Sequence, residues 1–130
     1  MPDSLPIVLV VDDERSVRLM CCKFLRRCGY ECVEAESIER ALELVLTTSF
    51  VAAILDVRLP GQRTGLDLLT TFRERAELSE IPVLIMTGSI LSHDEEAAIT
   101  RQRGFLFYKP EGFQAIVNFL DQLTGRDRAH

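Results

Sequence analysis

Ile7-Val8-Leu9-Val10-Val11-Asp12-Asp13 decides how this chain folds. Five apolar residues run without a polar interruption and then give way to two carboxylates. A strand that is apolar at every position, not at every second one, is buried on both faces, as in a parallel sheet covered by helices on either side. The pattern returns at Val51-Ala52-Ala53-Ile54-Leu55-Asp56, at Val83-Leu84-Ile85-Met86-Thr87 and at Phe105-Leu106-Phe107-Tyr108-Lys109. Open α/β sheets place their sites outside the carboxyl ends of the strands. Asp12, Asp13, Asp56, Thr87 and Lys109 are therefore expected along one edge. Acids, a hydroxyl and an amine gathered there can hold a divalent cation and a phosphoryl group together.

Between these runs the spacing predicts helices. Val17, Met20, Cys21, Phe24, Leu25 and Cys28 recur at helical intervals over residues 14–28, and Gly29 suits the C-terminal cap. Arg15, Arg18, Lys23, Arg26 and Arg27 fill the other positions, so the outer side of this helix reads as basic. Tyr30-Glu31-Cys32-Val33-Glu34-Ala35 mixes polar and apolar residues, as a half-exposed edge strand does. Ser37 suits the N-cap of a helix that turns Ile38, Ala41, Leu42 and Val45 inward. Thr64-x-x-Asp67 and Ser92-x-x-Glu95 are capping-box signatures that open two further helices, the second ending at Gly104. A last helix from Phe113 to about Leu123 buries Phe113, Ile116, Val117 and Leu120. The alternation predicts an α/β fold, a doubly wound five-stranded parallel sheet with helices on both faces. Right-handed crossovers and the edge character of the second strand favour the flavodoxin-like order 2-1-3-4-5 over a closed barrel. All 130 residues form one domain, with a core over about 7–123 and a polar tail at 125–130 that frays.

Composition narrows the function classes. Hydrophobic residues at 47% and charged residues at 27% are those of a soluble globular domain. A formal charge of -5 gives no basic footprint for nucleic acid. No apolar stretch approaches a membrane span, and Met1-Pro2-Asp3-Ser4 offers neither the basic nor the apolar region of a signal peptide. Cys21, Cys22, Cys28 and Cys32 lack metal-ligand spacing and read as small core residues and free thiols. Together these features point to the cytoplasm.

Three carboxylates in a small space repel one another unless a cation joins them. Mg²⁺ suits the set, because it takes a few carboxylate oxygens, a carbonyl and several waters. A carboxylate is also an adequate nucleophile toward phosphorus. Transfer to it needs charge neutralisation more than covalent help, and a metal, an ammonium and a hydroxyl supply that.

Val10-Val11-Asp12-Asp13-Glu14 resembles the acidic pair that opens the receiver domains of two-component response regulators. Asp56-Val57-Arg58-Leu59-Pro60-Gly61 resembles the loop that begins with the phosphorylated aspartate. Met86-Thr87-Gly88 is similar to the hydroxyl-bearing fourth strand end, and Tyr108-Lys109-Pro110 to the lysine followed by a cis-prone proline. The resemblance covers Ile7 to Leu123. It implies that Asp56 accepts phosphate from a histidine kinase or a histidine phosphotransfer domain. Asp13, Asp56 and the backbone carbonyl of Arg58 would bind Mg²⁺, with Asp12 acting through a coordinated water. Thr87 and Lys109 would contact phosphoryl oxygens. The state would pass by protein contacts to a downstream protein or an attached effector domain, with no direct nucleic-acid or membrane contact. The resemblance implies no enzyme beyond self-catalysed phosphotransfer and slow autodephosphorylation.

Three departures from the family pattern stand out. Leu106 occupies the place, three before the lysine, where many receivers carry a switch aromatic, so coupling through that route is expected to be weak. Gly65 comes one residue later than usual, lengthening the loop through Gly61-Gln62-Arg63-Thr64. Glu111-Gly112 displaces the apolar residue that normally follows the proline. Arg58 and Ser89 are expected beside the path of the attacking water, and Arg18, Lys23 and Arg26 on a docking face for the phosphodonor. The rivals are a pseudo-receiver that only binds partners and an aspartyl-nucleophile, Mg²⁺-dependent phosphohydrolase. The second requires D-x-D where this chain has adjacent Asp12-Asp13.

Overall fold

The computed structural model describes residues 5–59, 64–108 and 113–125. Among them five strands and five helices alternate: β1 Ile7–Val11, α1 Arg15–Arg27, β2 Glu31–Ala35, α2 Ile38–Val45, β3 Ala52–Leu55, α3 Gly65–Glu74, β4 Val83–Thr87, α4 His93–Arg101, β5 Gly104–Tyr108 and α5 Phe113–Thr124. The strands form one sheet in the order β2-β1-β3-β4-β5, and every pairing is parallel. The order and the edge position of β2 are those expected from the sequence.

Two apolar layers flank the sheet because successive side chains of a strand point to opposite faces. Leu9, Val11, Ala53, Leu55, Val83 and Ile85 pack on one side with Ile38, Leu68, Phe72 and Ile99. Val8, Val10, Ile54, Leu84 and Met86 pack on the other with Cys21, Leu25, Ile116, Val117 and Leu120. Each side chain of this size contributes about 2 kcal/mol on burial, so a one-residue slip of any central strand would cost several such contributions. That penalty fixes where the strand ends fall. Val11 is level with Leu55, and Leu55 with Ile85. Asp12 and Asp56 therefore leave the sheet at the same height.

The local signals for the helices hold in detail. Ser37 Oγ accepts from the Arg40 amide at 3.1 Å, and both capping boxes form, Thr64 with Asp67 and Ser92 with Glu95. Gly29 adopts φ 94°, the left-handed conformation its capping role needs. The fourth helix, however, stops at Arg101, and Gly104 opens β5 instead of ending α4. The left-handed turn falls on Arg103, φ 61°, whose guanidinium is held by Glu80 and the Ser79 carbonyl. Met20, expected in the core, is 58% exposed, while Cys22 beside it is buried. On α5, Ile116, Val117 and Leu120 are buried as expected; the Phe113 side chain and the tail beyond residue 125 lie outside the described residues.

The cysteines require a second correction. Cys22 and Cys32 form a disulfide with a Cα–Cα separation of 5.3 Å, and Cys21 and Cys28 are free. Both joined residues face the layer between α1 and the sheet. The turn at Gly29 folds β2 back along α1 and sets them opposite each other, a relation that a spacing of ten residues does not announce.

Two polar anchors complete the frame. The buried Tyr30 hydroxyl donates to the buried Asp121 carboxylate, joining the start of β2 to α5. Arg73 on α3 donates to the carbonyls of Gln102 and Ile81, both at 2.8 Å, and so pins the turns before β4 and β5. Burial, with Arg103 nearby, holds the Arg73 guanidinium below its usual pKa.

Candidate functional site

Asp12, Asp56 and Thr87 share one local device. The Asp12 carboxylate accepts the Glu14 amide at 2.9 Å, that of Asp56 accepts the Arg58 amide at 3.1 Å, and the Thr87 hydroxyl accepts the Ser89 amide at 3.1 Å. A short oxygen-bearing side chain that bonds the amide two residues on replaces the lost ladder with a turn. The chain thus turns off the sheet at each strand end and leaves the side chain rooted at the edge. All three residues are buried, at 2%, 8% and 0% exposure, while Asp13 is exposed.

The three carboxylates converge. One oxygen each from Asp12, Asp13 and Asp56 lie within 4.8 Å of one another. Hard oxygen donors at this spacing fit a small divalent cation, which Mg²⁺ satisfies by binding a few carboxylates and filling its shell with water. Lys109 and Pro110, the loop residues Pro60 to Arg63, and Glu111-Gly112 lie outside the described residues.

Gly65 holds the loop after Asp56 close. Its amide donates to the Val57 carbonyl at 2.9 Å. A Cβ added at Gly65 would stand 2.1 Å from the Asp56 carbonyl oxygen and 2.9 Å from its carbon. No side chain fits there, so α3 begins in contact with the backbone of Asp56.

Sequence reasoning missed the surroundings of the site. Arg58 extends to α4, donating to the Glu95 carboxylate at 2.9 and 3.3 Å. Glu95 also accepts the Ser92 amide at 2.8 Å. That amide and the Arg58 guanidinium hold the Glu95 carboxyl below the usual carboxylate range. The neighbouring Glu96 accepts from the Tyr108 hydroxyl at 2.7 Å and pushes the pKa of that phenol up. The capping box was a legible sign that Glu95 faces its own helix end; nothing in the sequence joined it to Arg58.

The chain from residue 8 to 121 matches the family model of the response regulator receiver domain. The chain belongs to that family. Two-component response regulator ORR3 of Oryza sativa subsp. indica is 37% identical over 88 residues, 68% of this chain and 67% of that protein. DNA-binding transcriptional regulator NtrC of Escherichia coli K12 is 33% identical over 108 residues, 82% of this chain but 22% of that protein. Among solved structures, a putative response regulator from Chloroflexus aurantiacus superposes with a TM-score of 0.84 at 28% identity, covering 95% of this receiver and 100% of that chain. The receiver is accordingly a phosphoacceptor signalling module and not a metabolic enzyme. None of its described helices is long and apolar enough to cross a membrane.

The basic face of α1 differs from expectation. The Arg18 side chain is 12% exposed, paired with Glu34 at 3.2 Å and donating to the Asp12 carbonyl at 2.7 Å. Arg26 pairs with Glu31 and donates to the Cys32 carbonyl. Both arginines are committed within the receiver and brace α1 against β2. A shallow groove on this helix is lined by Met20, Lys23, Phe24 and Arg27.

Proposed function

We propose that this receiver takes a phosphoryl group onto Asp56 from a phosphohistidine, donated by a histidine kinase or a histidine phosphotransfer domain. The convergence of Asp12, Asp13 and Asp56 beside buried Thr87 carries the reading. An Asp56 carboxylate oxygen forms the new bond to phosphorus as the P–N bond to the donor imidazole breaks. The electron pair leaves with the imidazole nitrogen. Asp13, Asp56 and the Arg58 carbonyl would hold Mg²⁺, with Asp12 acting through a coordinated water. When bound, the ion supplies charge neutralisation at the phosphoryl oxygens. The Thr87 oxygen already accepts the Ser89 amide, which leaves its O–H to donate to a phosphoryl oxygen. Lys109 is assigned to another of those oxygens on the family resemblance.

The donor docks against α1, where exposed Met20 and Leu19 lie beside Lys23. An amphipathic partner helix suits that face better than a purely acidic one. The phosphorylated state passes to a downstream protein or an attached effector, and autodephosphorylation is slow. The domain works in the cytoplasm, where burial shields the Cys22–Cys32 bond from thiol exchange.

Incubation with Mg²⁺ and acetyl phosphate, followed by intact-mass measurement, is the direct test. One added phosphoryl group is expected, absent in Asp56→Asn. Equal labelling of both proteins removes Asp56 from the role, and no labelling of either supports the partner-binding rival.

A further inference from the structure

The Arg58 backbone and side chain bind different elements. Its own amide donates to the Asp56 carboxylate, so the side chain is rooted beside the acceptor. Its guanidinium nevertheless grips Glu95 on α4. The pair is on the surface, with the arginine 48% and the glutamate 24% exposed, and an exposed ion pair is weakly held. An aspartyl phosphate would set a more highly charged acceptor with three oxygens beside the root of that flexible chain. A guanidinium recognises a phosphoryl group bidentately and at least as well as a carboxylate.

Resting on Asp56 as the phosphoacceptor, we infer that Arg58 is a latch: it binds Glu95 in the unphosphorylated receiver and transfers to the phosphoryl group, releasing the first turn of α4. Glu95 is suited to be the released partner because its carboxylate also accepts the Ser92 amide in the capping box. Losing Arg58 therefore loosens the turn without removing its cap. The adjacent tether from Tyr108 to Glu96 comes from β5 and does not touch Arg58. It stays closed and makes the release one-sided. The latch gives the receiver a route from Asp56 to α4 that bypasses Leu106, which packs in the core layer on the α4 side of the sheet without any polar atom to exchange. Differential contacts in the two states are what such a switch requires.

The experiment is a double-mutant cycle on the whole chain with Mg²⁺ and acetyl phosphate, using Glu95→Gln, Arg58→Met and the double variant. Glutamine keeps the capping hydrogen bond, so α4 remains folded. Attack of the Asp56 carboxylate on phosphorus expels acetate, and intact mass reports the product. Glu95→Gln frees Arg58 and raises the phosphorylation rate about fivefold, the equivalent of an exposed pair. In the Arg58→Met background the same change has no effect. Amide exchange at Glu95 and Glu96 accelerates about fivefold on phosphorylation of the unmodified chain, and is fast in both states of Arg58→Met. Tyr108→Phe retains the phosphorylation-dependent change. A Glu95→Gln effect of equal size in the Arg58→Met background would reduce it to a field effect of one carboxylate and overturn the latch. So would exchange that does not respond to a phosphoryl group seen by mass. No added mass at all would sink the acceptor assignment together with the latch, which separates the two failures.

Discussion

Replacing Gly65 with alanine sets two physical effects against each other. Gly65 is the first residue of α3, and its φ is not among the positive values found at Gly29 and Gly125. Backbone strain therefore plays no part. Helix propensity favours alanine over glycine by at most about 1 kcal/mol. Against this, the new methyl would stand 2.1 Å from the Asp56 carbonyl oxygen and 3.1 Å from the Val57 Cα. A relaxed contact lies near about 3.5 Å, so α3 must retreat by more than an ångström, and every offending atom is backbone. Overpacking of this kind costs about 3 kcal/mol, which leaves a net loss of about 2 kcal/mol. In urea the midpoint should fall by about 1 M with an unchanged slope. Phosphorylation of the residual folded protein should also slow, because the displaced backbone carries Asp56, the proposed acceptor. A Gly65→Ala protein with an unchanged or higher midpoint and a normal phosphorylation rate would show that propensity wins and that α3 does not abut Asp56.

The metal site and the α5 anchor give two further expectations. Asp13→Asn should abolish measurable Mg²⁺ binding in a calorimetric titration, since it removes one of three converging carboxylates, whereas Thr87→Ala should leave the affinity nearly unchanged; unaltered affinity in Asp13→Asn would overturn the ligand assignment. Tyr30→Phe removes a buried hydrogen bond to Asp121 and should cost about 2 kcal/mol in a chemical denaturation, the value for a bond to a charged group; a loss below about 0.5 kcal/mol would mean that the anchor is energetically idle.

The fold was legible because its signals are local. An uninterrupted apolar run can only be satisfied with both faces covered, and four such runs with capped helices between them leave few arrangements open. The mixed run at Glu31–Ala35 then settles which strand lies at the edge. The convergence of Asp12, Asp13 and Asp56 follows from the same register, because strands that share a core end at the same height. What the sequence withheld lies where a contact depends on which of several long side chains reaches across. Arg18 and Arg26 look like a solvated basic face on a helical wheel, yet each finds an acceptor on β2 or at the strand end. Met20 has the periodicity of a core residue and faces outward, while Cys22, one residue beyond Cys21 of the expected stripe, faces in. A rotation of α1 by a fraction of a turn separates the two readings, and periodicity alone does not resolve it.

The aromatic residues of β5 show how far the same logic extends. Alternation along the strand sends Phe105 and Phe107 to the α5 side, where their ring centroids lie 4.7 and 5.4 Å from Phe119. Leu106 and Tyr108 go to the opposite layer. The residue in the customary switch position is thus an aliphatic side chain, and the aromatic sharing its face is Tyr108, opposite Thr87 in the register and bonded to α4 through Glu96. Phe105 and Phe107 cannot take over a task on the α4 side without leaving the Phe119 cluster. Tyr108 instead spans from the strand beside Thr87 to the first turn of α4 and serves there as the fixed tether. Arg58 reaches the adjacent glutamate of that turn from the loop after Asp56. Both polar contacts therefore end on α4, at the neighbouring Glu95 and Glu96, and α4 is the element on which the proposed Arg58 latch would act.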